Sequence, residues 1–386
     1  MAKLKKCNIH RHYFRATLVA LVGVLGLHCA RTPATKMIHQ SFEEGDEGWI
    51  PFGGDAQVEL TREPSQVKNG KAALAVRYKF NPGQYGSAVF PVESGQLARL
   101  SRIRFWIKTD HSTPIIVILS EKAGGYYSTW FWCNKDQWQQ VELRPSDFAL
   151  DEGPTDPKDP DGRLDLDQVQ GIGISDLGQA FQTLAANSAY PLVVDPVSGR
   201  HSLYVDDFDL AMSGARASEG AISKSIGDFD RGLLTWVTLG GAELKISLAS
   251  NPLREPALEA TYEQKHGHYV AFGHTLANLN LHGVKKLVFR IATKDEAKFM
   301  VYLEKKQPGA TFGPRYSYLM AIPGGNRAVE EEIALSEFRP DPSGPADPNG
   351  KLTVGDLKSL SLVDITGANS QASRENTLWL SAIKPQ

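Results

Sequence analysis

The chain carries an internal repeat of about 185 residues, and this repeat constrains its architecture more than any single motif. Phe42 and Trp49 recur with the same spacing as Phe229 and Trp236. Each copy is long enough to bury a core of its own, so two consecutive domains are expected. Further matches follow in the same order, most of them displaced by 184 positions: Ala73-Leu74 and Tyr78 with Ala257-Leu258 and Tyr262, Phe105 with Phe289, Val117 with Val301, and Asp159 to Leu164 with Asp347 to Leu352.

Residues 1–30 have the pattern of an export signal. Basic residues between Lys3 and Arg15 precede an uncharged apolar run from Ala16 to Leu27. The run is shorter than the roughly 20 apolar residues of a typical transmembrane helix. Cys29 stands where bacterial lipoproteins carry their acylated cysteine, but the segment before it departs from the usual pattern, so lipidation and ordinary cleavage both stay open. We expect an exported protein that is periplasmic, anchored to the cell envelope or secreted.

The charge balance makes nucleic acid a poor partner. The whole chain has a formal net charge of −2, and without the basic signal the charge is about −7. Phosphate binding needs a basic patch, and no Lys or Arg cluster is present. Contact with a membrane is expected only through a lipid on Cys29. Beyond Cys29 the only cysteine is Cys133, so the folded part can form no internal disulfide.

The apolar residues after the signal alternate with period two, which is typical of strands with one buried face. Leu74, Val76 and Tyr78 are one such run. We find no convincing amphipathic helix of ten or more residues, and the helical pattern at residues 176–187 is interpreted as a loop. The pattern predicts an all-β fold of two tandem jelly-roll β-sandwiches, with domain 1 at residues 36–212, a linker at 213–225 and domain 2 at 226–386.

Several of these segments together resemble a known family. They are Phe105-Trp106-Ile107-Lys108, the Gly124-Gly125-Tyr126 loop, Ile172-Gly173-Ile174 and the closing run from Leu203 to Phe208. Residues 40–212, and more weakly 226–385, resemble the galactose-binding-like jelly rolls of the family 11 carbohydrate-binding modules and the related complex I intermediate-associated protein family. These motifs are mostly structural, so the resemblance specifies the fold better than the ligand.

The aromatic segment from Tyr126 to Trp132 is the strongest candidate for a ligand site. In a continuous strand, Tyr126, Ser128, Trp130 and Trp132 share one face and Tyr127, Thr129, Phe131 and Cys133 share the other. Cysteine favours burial, so the second set is predicted to face the core. The two indoles would then form an outer platform on which a sugar ring can stack, with Tyr85 as a neighbour. The alternative is that a loop or the other domain covers them.

The second copy serves as an internal control for this platform. If six extra residues are placed around Gly309 to Pro314, Tyr316, Tyr318, Met320 and Ile322 align with Tyr126, Ser128, Trp130 and Trp132. The tryptophans are not repeated, which favours a platform in domain 1 only.

A second candidate site consists of acids at the two ends of domain 1. Jelly rolls of the type that the chain resembles often hold a structural calcium between their first and last strands. Calcium prefers six to eight oxygen ligands. Glu43, Glu44, Asp206 and Asp207 stand at matching positions, so a structural Ca²⁺ is predicted in domain 1, with ordinary solvated acids as the alternative. Domain 2 has no acid in its closing strand Leu380 to Ile383, which argues against a second calcium.

Catalytic motifs are missing from the sequence. No G-x-S-x-G elbow, HExxH helix or CxxC pair occurs, and Asp159 to Gly162 fits an Asx turn better than an EF-hand. The leading hypothesis is therefore an exported non-catalytic protein whose domain 1 binds a glycan. The alternative is a structural or assembly protein of the cell envelope that binds a protein partner, and the third is a polysaccharide hydrolase or lyase.

Overall fold

The structure is a computed structural model that describes residues 36–53, 55–80, 86–151, 156–186, 198–213, 225–229, 231–233, 235–307, 313–369 and 373–386. The chain divides into one unit of residues 1–34 and one of residues 35–386. The predicted export signal, Cys29, Tyr85 and residues 214–224 of the predicted linker lie outside the described residues. Among the described residues, no helix has both the length and the apolar character needed to cross a membrane.

Twelve strands and one α-helix form the first half of the described chain. In chain order they are β1 (Lys36–Gln40), β2 (Ile50–Phe52), β3 (Gln57–Thr61), β4 (Ala73–Lys79), β5 (Ser87–Pro91), β6 (Leu100–Thr109), β7 (Thr113–Glu121), β8 (Tyr126–Cys133), β9 (Gln139–Leu143), β10 (Ala149–Leu150), β11 (Val169–Asp176), α1 (Gly178–Ala186) and β12 (Arg200–Met212).

These strands form two antiparallel sheets. Sheet A1 has the order β3-β4-β12-β6-β9, with β1 pairing the second part of β12. Sheet B1 has the order β10-β8-β7-β11-β5-β2. The inward side chains of both sheets form one buried core, which includes Trp49, Tyr78, Phe105 and Phe208. The two sheets form the first sandwich.

A further twelve strands form the second half of the described chain. They are β13 (Trp236–Leu239), β14 (Glu243–Ser247), β15 (Ala257–Gln264), β16 (Val270–Thr275), β17 (Lys286–Thr293), β18 (Ala297–Lys305), β19 (Arg315–Ile322), β20 (Val329–Ala334), β21 (Arg339–Pro340), β22 (Leu357–Asp364), β23 (Arg374–Ser381) and β24 (Lys384–Pro385).

The second half repeats the strand order of the first. Sheet A2, β14-β15-β23-β17-β20, matches β3-β4-β12-β6-β9, and sheet B2, β13-β16-β22-β18-β19-β21, matches sheet B1 from β2 to β10. Strand β24 pairs with β17 where the second part of β12 pairs with β6 in sheet A1, so β23 and β24 together match the single strand β12. Sheets A2 and B2 form the second sandwich around a separate core that includes Trp236, Phe272, Phe289 and Phe299. The predicted all-β jelly-roll fold is confirmed.

Two tyrosine–aspartate contacts are repeated as well, one buried and one partly buried. The Tyr78 hydroxyl donates to the Asp176 carboxylate, and the Tyr262 hydroxyl donates to Asp364 Oδ2 at 2.6 Å. In the same way, Tyr127 Oη donates to Asp159 Oδ2 at 2.7 Å and Tyr316 Oη donates to Asp347 Oδ2 at 2.6 Å. A buried phenol needs an acceptor, so these pairs satisfy the tyrosines in both copies.

One predicted loop is a helix. Residues 178–186 form α1, which directly follows the central strand β11. The Gly178 N–H donates to Asp176 Oδ1 at 2.7 Å, and the Phe181 N–H donates to the Leu177 carbonyl at 3.0 Å. Phe181 is buried against the core of the second sandwich, so tertiary packing stabilises a helix that is too short to be stable in isolation.

The register of the sheets corrects the alignment of the aromatic strand with its repeat. Leu119 lies opposite Tyr127 in the first sandwich, and the equivalent Leu303 lies opposite Tyr316 in the second. Tyr316, Tyr318, Met320 and Ile322 therefore match the inward residues Tyr127, Thr129, Phe131 and Cys133, one position away from the predicted alignment. The residues equivalent to Trp130 and Trp132 are Leu319 and Ala321.

Candidate functional site

The aromatic strand β8 has the predicted sidedness. Tyr127, Phe131 and Cys133 are buried in the first core, so the prediction that this set faces inward is confirmed. Trp130 and Trp132 point to the opposite side, out of the first sandwich. Burial raises the pKa of the Cys133 thiol well above its usual value, which leaves it protonated and unreactive.

The second sandwich covers the indoles. Trp132 is only 6% exposed and belongs to the buried core of the second sandwich, where Trp130 and Leu177 also pack. The Trp130 ring meets the Phe181 ring edge-on, with centroids 6.0 Å apart. The prediction of an open platform is therefore wrong for Trp132, because the other half of the chain uses this face as a packing surface.

Hydrogen bonds fix the same junction. The Thr235 N–H donates to the Trp130 carbonyl at 2.8 Å. Trp132 Nε1 donates to Asn134 Oδ1 at 3.1 Å, and the Asn134 side chain also bonds to the carbonyl and the N–H of Leu244. A cavity of about 260 Å³ remains beside Trp132 between the two sandwiches. Its lining includes Pro114, Phe181, Leu239 and Glu243.

A partly buried ion pair also joins the sandwiches. The Arg231 guanidinium binds both carboxylate oxygens of Asp147, with Nη2 at 2.9 Å from Oδ1. Asn278 Nδ2 donates to the Asp147 carbonyl at 3.0 Å. Burial lowers the pKa of Arg231, but Asp147 outweighs that effect and raises it overall. The junction thus combines apolar packing with a bidentate charged contact.

The outer face of sheet B1 contains a strip of small side chains. The central strand β11 presents Gly171 and Gly173 there, between Val89 of β5 and Ile118 and Ser120 of β7. A Cβ added to Gly173 would lie 3.8 Å from the Ile118 Cβ, and its backbone is not in the left-handed region, so a small side chain would fit. We call these five residues the glycine face.

Larger side chains flank the glycine face on both sides. On one side lie Phe52, which is 67% exposed, and Ile50, which is 49% exposed, both on β2. On the other side lies the half-buried Tyr126 of β8, opposite Ser120. Next to it, Ser128 Oγ donates to Asp151 Oδ2 at 2.9 Å. The arrangement offers a flat floor, an exposed aromatic ring and polar groups, which is what a sugar chain requires of a protein surface.

The equivalent face of the second sandwich is filled by its own side chains. Tyr302 takes the place of Ile118, and Ser361 takes the place of Gly173. Tyr302 is buried there with Ala271 and Val363, and the Arg315 guanidinium lies 5.4 Å from its ring centre. This face therefore presents no small-residue floor.

The glycine face and Phe52 were not predicted from the sequence. The signal was the alternation Gly171-Ile172-Gly173-Ile174, in which one face of a strand carries isoleucine and the other carries no side chain. The sequence contained no signal for the exposure of Phe52, because this exposure depends on which strand forms the edge of the sheet. Tyr126 is the predicted platform residue that borders this face. Trp130 is half-buried at the junction, and its ligand-binding role stays a prediction.

The predicted calcium acids lie around a turn at residues 68–72. Glu43 Oε1 accepts the Lys71 N–H at 2.7 Å, while Asp206 Oδ2 accepts the Lys68 and Asn69 N–H groups at 2.9 and 3.0 Å. Asp206 Oδ1 accepts the N–H of Asp207, and the Asp207 carboxylate accepts a hydrogen bond from the Asn69 side-chain amide. Glu44 is exposed. Burial raises the pKa of Asp206 against the lowering effect of these N–H groups.

These contacts do not fit a calcium shell. Both oxygens of Asp206 face backbone N–H groups, and the four acids do not bring three ligand atoms within 4.8 Å of one another in the described part of the chain. Gly70 has φ +69° and lies so close to Glu43 that any Cβ would clash with its carboxylate. The acids hold the turn, and the calcium site stays a prediction.

A family model and several solved structures are similar to parts of this chain. Residues 28–185 match the family model described as a carbohydrate binding domain (family 11). Among solved structures, the family 11 carbohydrate-binding module from Clostridium thermocellum in complex with a β-1,3-1,4-mixed-linked tetrasaccharide is 17% identical, covers 47% of this chain and 98% of its own, and has a TM-score of 0.35.

A second similar structure spans most of the chain. The tandem CBM22-1–CBM22-2 domains of Paenibacillus barcinonensis Xyn10C are 12% identical, cover 92% of this chain and 98% of their own, and have a TM-score of 0.30. No curated protein sequence matches the chain. The relationship to the complex I intermediate-associated proteins stays a prediction. The other predicted resemblance is confirmed: residues 28–185 match the family 11 carbohydrate-binding domains.

Proposed function

We propose that the chain is an exported, non-catalytic carbohydrate-binding protein whose first sandwich holds a glycan on the glycine face. The family 11 match over residues 28–185 supports a carbohydrate-binding role. The observation that carries the choice of face is the difference between two equivalent surfaces: glycine at 171 and 173 in the first sandwich, and the buried Tyr302 with its neighbours in the second. Export rests on the basic and apolar pattern of residues 1–30, with Cys29 as the lipidation site if the signal is that of a lipoprotein.

The chemistry of the face supports a sugar ligand. The exposed Phe52 ring can stack on the apolar face of one pyranose of a glycan chain. Ser120, Ser128 and Asp151, on the other side of the face, are placed to bond hydroxyl groups of other sugar units of the same chain. The exposed apolar residues Phe52 and Ile50 would also suit a protein partner, which is the envelope-protein alternative. The two classes of ligand differ in whether a purified glycan alone is retained.

Affinity electrophoresis of the purified chain on a broad panel of soluble polysaccharides tests the proposal. We expect retention by at least one glycan, and we expect Phe52→Ala to weaken it by about tenfold, the equivalent of one lost stacking contact. Leu319→Ala is the matched control, because Leu319 is 54% exposed on the second sandwich and should not affect retention.

Two results would overturn the proposal. One is no retention on any glycan by a protein that still unfolds cooperatively, especially if a protein partner co-purifies in a fixed ratio, which favours the envelope alternative. The other is release of reducing ends or unsaturated sugars from the polysaccharide, which favours the hydrolase or lyase alternative.

A further inference from the structure

Two histidines and an aspartate converge at one end of the first sandwich. Asp110 and His111 follow strand β6, and His201 lies near the start of β12. His111 Nδ1 lies 2.8 Å from Asp110 Oδ1, and His201 Nδ1 lies 3.0 Å from the same oxygen. The ring centres are 4.4 Å apart. Within the described residues, this is the one group of three His, Cys, Asp or Glu side chains whose ligand atoms all lie within 4.8 Å of one another.

The atoms that point away from the centre of this cluster are held by the fold. His111 Nε2 lies 3.0 Å from Asp176 Oδ2, and His201 Nε2 lies 3.2 Å from the Ser198 carbonyl. Asp110 Oδ2 accepts the Ser202 N–H at 2.8 Å. In metal sites, the ring nitrogen that does not bind the ion usually donates to a carboxylate or a backbone carbonyl, which fixes the tautomer and the ring orientation. His201 has this arrangement, and His111 has a carboxylate 3.0 Å from its outward nitrogen.

The three atoms that face the centre of the cluster have a specific chemical requirement. A neutral imidazole that donates from Nε2 presents a lone pair at Nδ1, and the Asp110 oxygen is an acceptor as well. When both rings donate from Nε2, two nitrogen lone pairs and a carboxylate oxygen lie within 4.8 Å of one another, and they repel each other unless a cation or protons stand between them. Nitrogen and oxygen donors of this kind suit zinc and similar divalent transition ions.

The second sandwich shows that the fold does not need these three residues. Register and repeat place Lys294, Asp295 and Asn376 at the positions of Asp110, His111 and His201. There the Asn376 side chain simply accepts the Asp295 N–H at 2.9 Å. The neighbouring tyrosine–aspartate bond is kept in both copies, as described above. The cluster is thus an addition to a framework that is stable without it.

The site is also accessible. The side chains of His111 and His201 are 12% and 15% exposed, and that of Asp110 is 33% exposed. The Phe80 ring packs against both imidazoles, with centroid distances of 5.5 and 5.1 Å, and closes one side. An ion can therefore enter from solvent, and solvent can complete its coordination.

We propose that the first sandwich binds one divalent transition-metal ion of the zinc class through His111 Nδ1, His201 Nδ1 and the Asp110 carboxylate. Three protein ligands leave the fourth tetrahedral position to water or to a ligand. The proposal is independent of glycan binding, since the glycine face shares no residue with this cluster.

The test is a calorimetric titration of the untagged, metal-free chain with ZnCl₂. We expect one ion per chain, a rise of several degrees in Tm on saturation, and visible absorption bands when Co²⁺ takes the place of Zn²⁺. His201→Asn imports the residue of the second sandwich and should weaken zinc binding by about 100-fold or more, since even second-layer changes cost about 10-fold to 100-fold. Asp110→Asn is a second variant, which keeps the shape and removes the charge.

His266→Asn is the matched control, because His266 lies exposed in a turn of the second sandwich and should not affect zinc binding. Loss of binding in the cluster variants with retention in the control supports the site. The proposal is overturned if the folded wild-type chain binds Zn²⁺ more weakly than about 100 µM. It is also overturned if both cluster variants bind as tightly as wild type.

Discussion

Strands β8 and β19 occupy the same place in the two sandwiches, and their outward side chains differ completely. On β8, Trp132 is buried in the core of the second sandwich. On β19, Leu319 is 54% exposed at the position equivalent to Trp130. The difference shows that the large aromatic side chains of the first copy lie where the second sandwich covers them. Because the surroundings of Leu319 leave its side chain largely in solvent, a tryptophan at this position would gain little burial.

On the neighbouring strands, the second copy has the larger outward side chains. The first sandwich leaves small residues at Gly171 and Gly173, whereas the second fills the equivalent face with Tyr302 and Val363. One copy therefore uses its outer side chains for the junction and keeps a flat face beside it, while the other closes that face. Four predictions test this interpretation.

The largest effect is expected for the covered indole. Trp132→Ala should lower the free energy of unfolding by about 3–5 kcal/mol, because it opens a cavity between the two sandwiches. Leu319→Ala should lower it by less than about 0.5 kcal/mol, since that side chain is largely in solvent. Urea denaturation followed by circular dichroism measures both. Equal losses in the two variants would contradict the unequal roles of the two faces.

The ion pair across the junction comes next. Arg231→Ala leaves the buried Asp147 carboxylate without its guanidinium and should cost about 2–3 kcal/mol. The solvent-facing pair of Lys286 and Glu332 is the control, and Lys286→Ala should cost no more than about 1 kcal/mol. Thermal unfolding by calorimetry should also show the transitions of the two sandwiches separating in Arg231→Ala. A single unchanged transition would mean that Asp147 does not couple them.

A smaller effect on stability is expected where an acid in the first copy is replaced by a base in the second. Glu121 of the first sandwich lies beside Asp159, whereas its counterpart Lys305 lies 2.8 Å from Asp347 Oδ2. Burial is the largest effect on the pKa of Glu121, which rises from 4.5 to about 7. The Asp165 N–H lowers this pKa, and Asp159 raises it. The hydrogen bond from Lys305 is the largest of the effects that lower the pKa of Asp347, to about 2.

These shifts predict different pH dependence. The contribution of Glu121 is complete below pH 4.5 and is lost as pH rises through about 7, so stability should fall by about 1 kcal/mol between pH 5 and 8. The contribution of Asp347 is present above its usual value of 3.8 and is lost only as pH falls through about 2. Denaturation of wild type and Glu121→Gln across this range measures the difference. Parallel curves would show that Glu121 does not titrate as stated.

The last variant changes the glycine face. It should have the smallest effect on stability and a clear effect on glycan binding. The double variant Ile118→Tyr with Gly173→Ser gives the first sandwich the residues of the second, and the free energy of unfolding should change by less than about 1 kcal/mol. Retention on a glycan should fall by about tenfold or more, because the tyrosine covers the floor of the face. The reciprocal Tyr302→Ile in the second sandwich is the control and should not change retention. Undiminished retention in the double variant would place the glycan elsewhere.

Much of the fold could be predicted because its signals are local. The alternation of Leu74, Val76 and Tyr78 identifies a strand with one buried face, and the order of such strands repeats along the chain. The inward face of β8 could be predicted in the same way, because Cys133 is on that face and cysteine favours burial. The helix at residues 178–186 could not be predicted, because Phe181 is buried by the other sandwich and nothing in its own segment indicates that contact.

The candidate site could be predicted only in part. Local pattern placed Tyr126, Trp130 and Trp132 on one outward face, and that sidedness is correct. Whether an outward residue meets solvent or protein depends on residues about 100 positions away, such as Thr235 and Leu244, which pattern cannot bring together. For the same reason, the pairing of His111 with His201 had no sequence signal.

The sequence by itself determined the duplication, the strand pattern and the family resemblance of the first copy, since each depends on residues close together or on a repeated order. Only the tertiary structure decided which aromatic face was covered, which face stayed flat, and which acids and histidines met. Those outcomes depend on non-local contacts, in which the free energy of burial is set by the partner surface and not by the side chain alone.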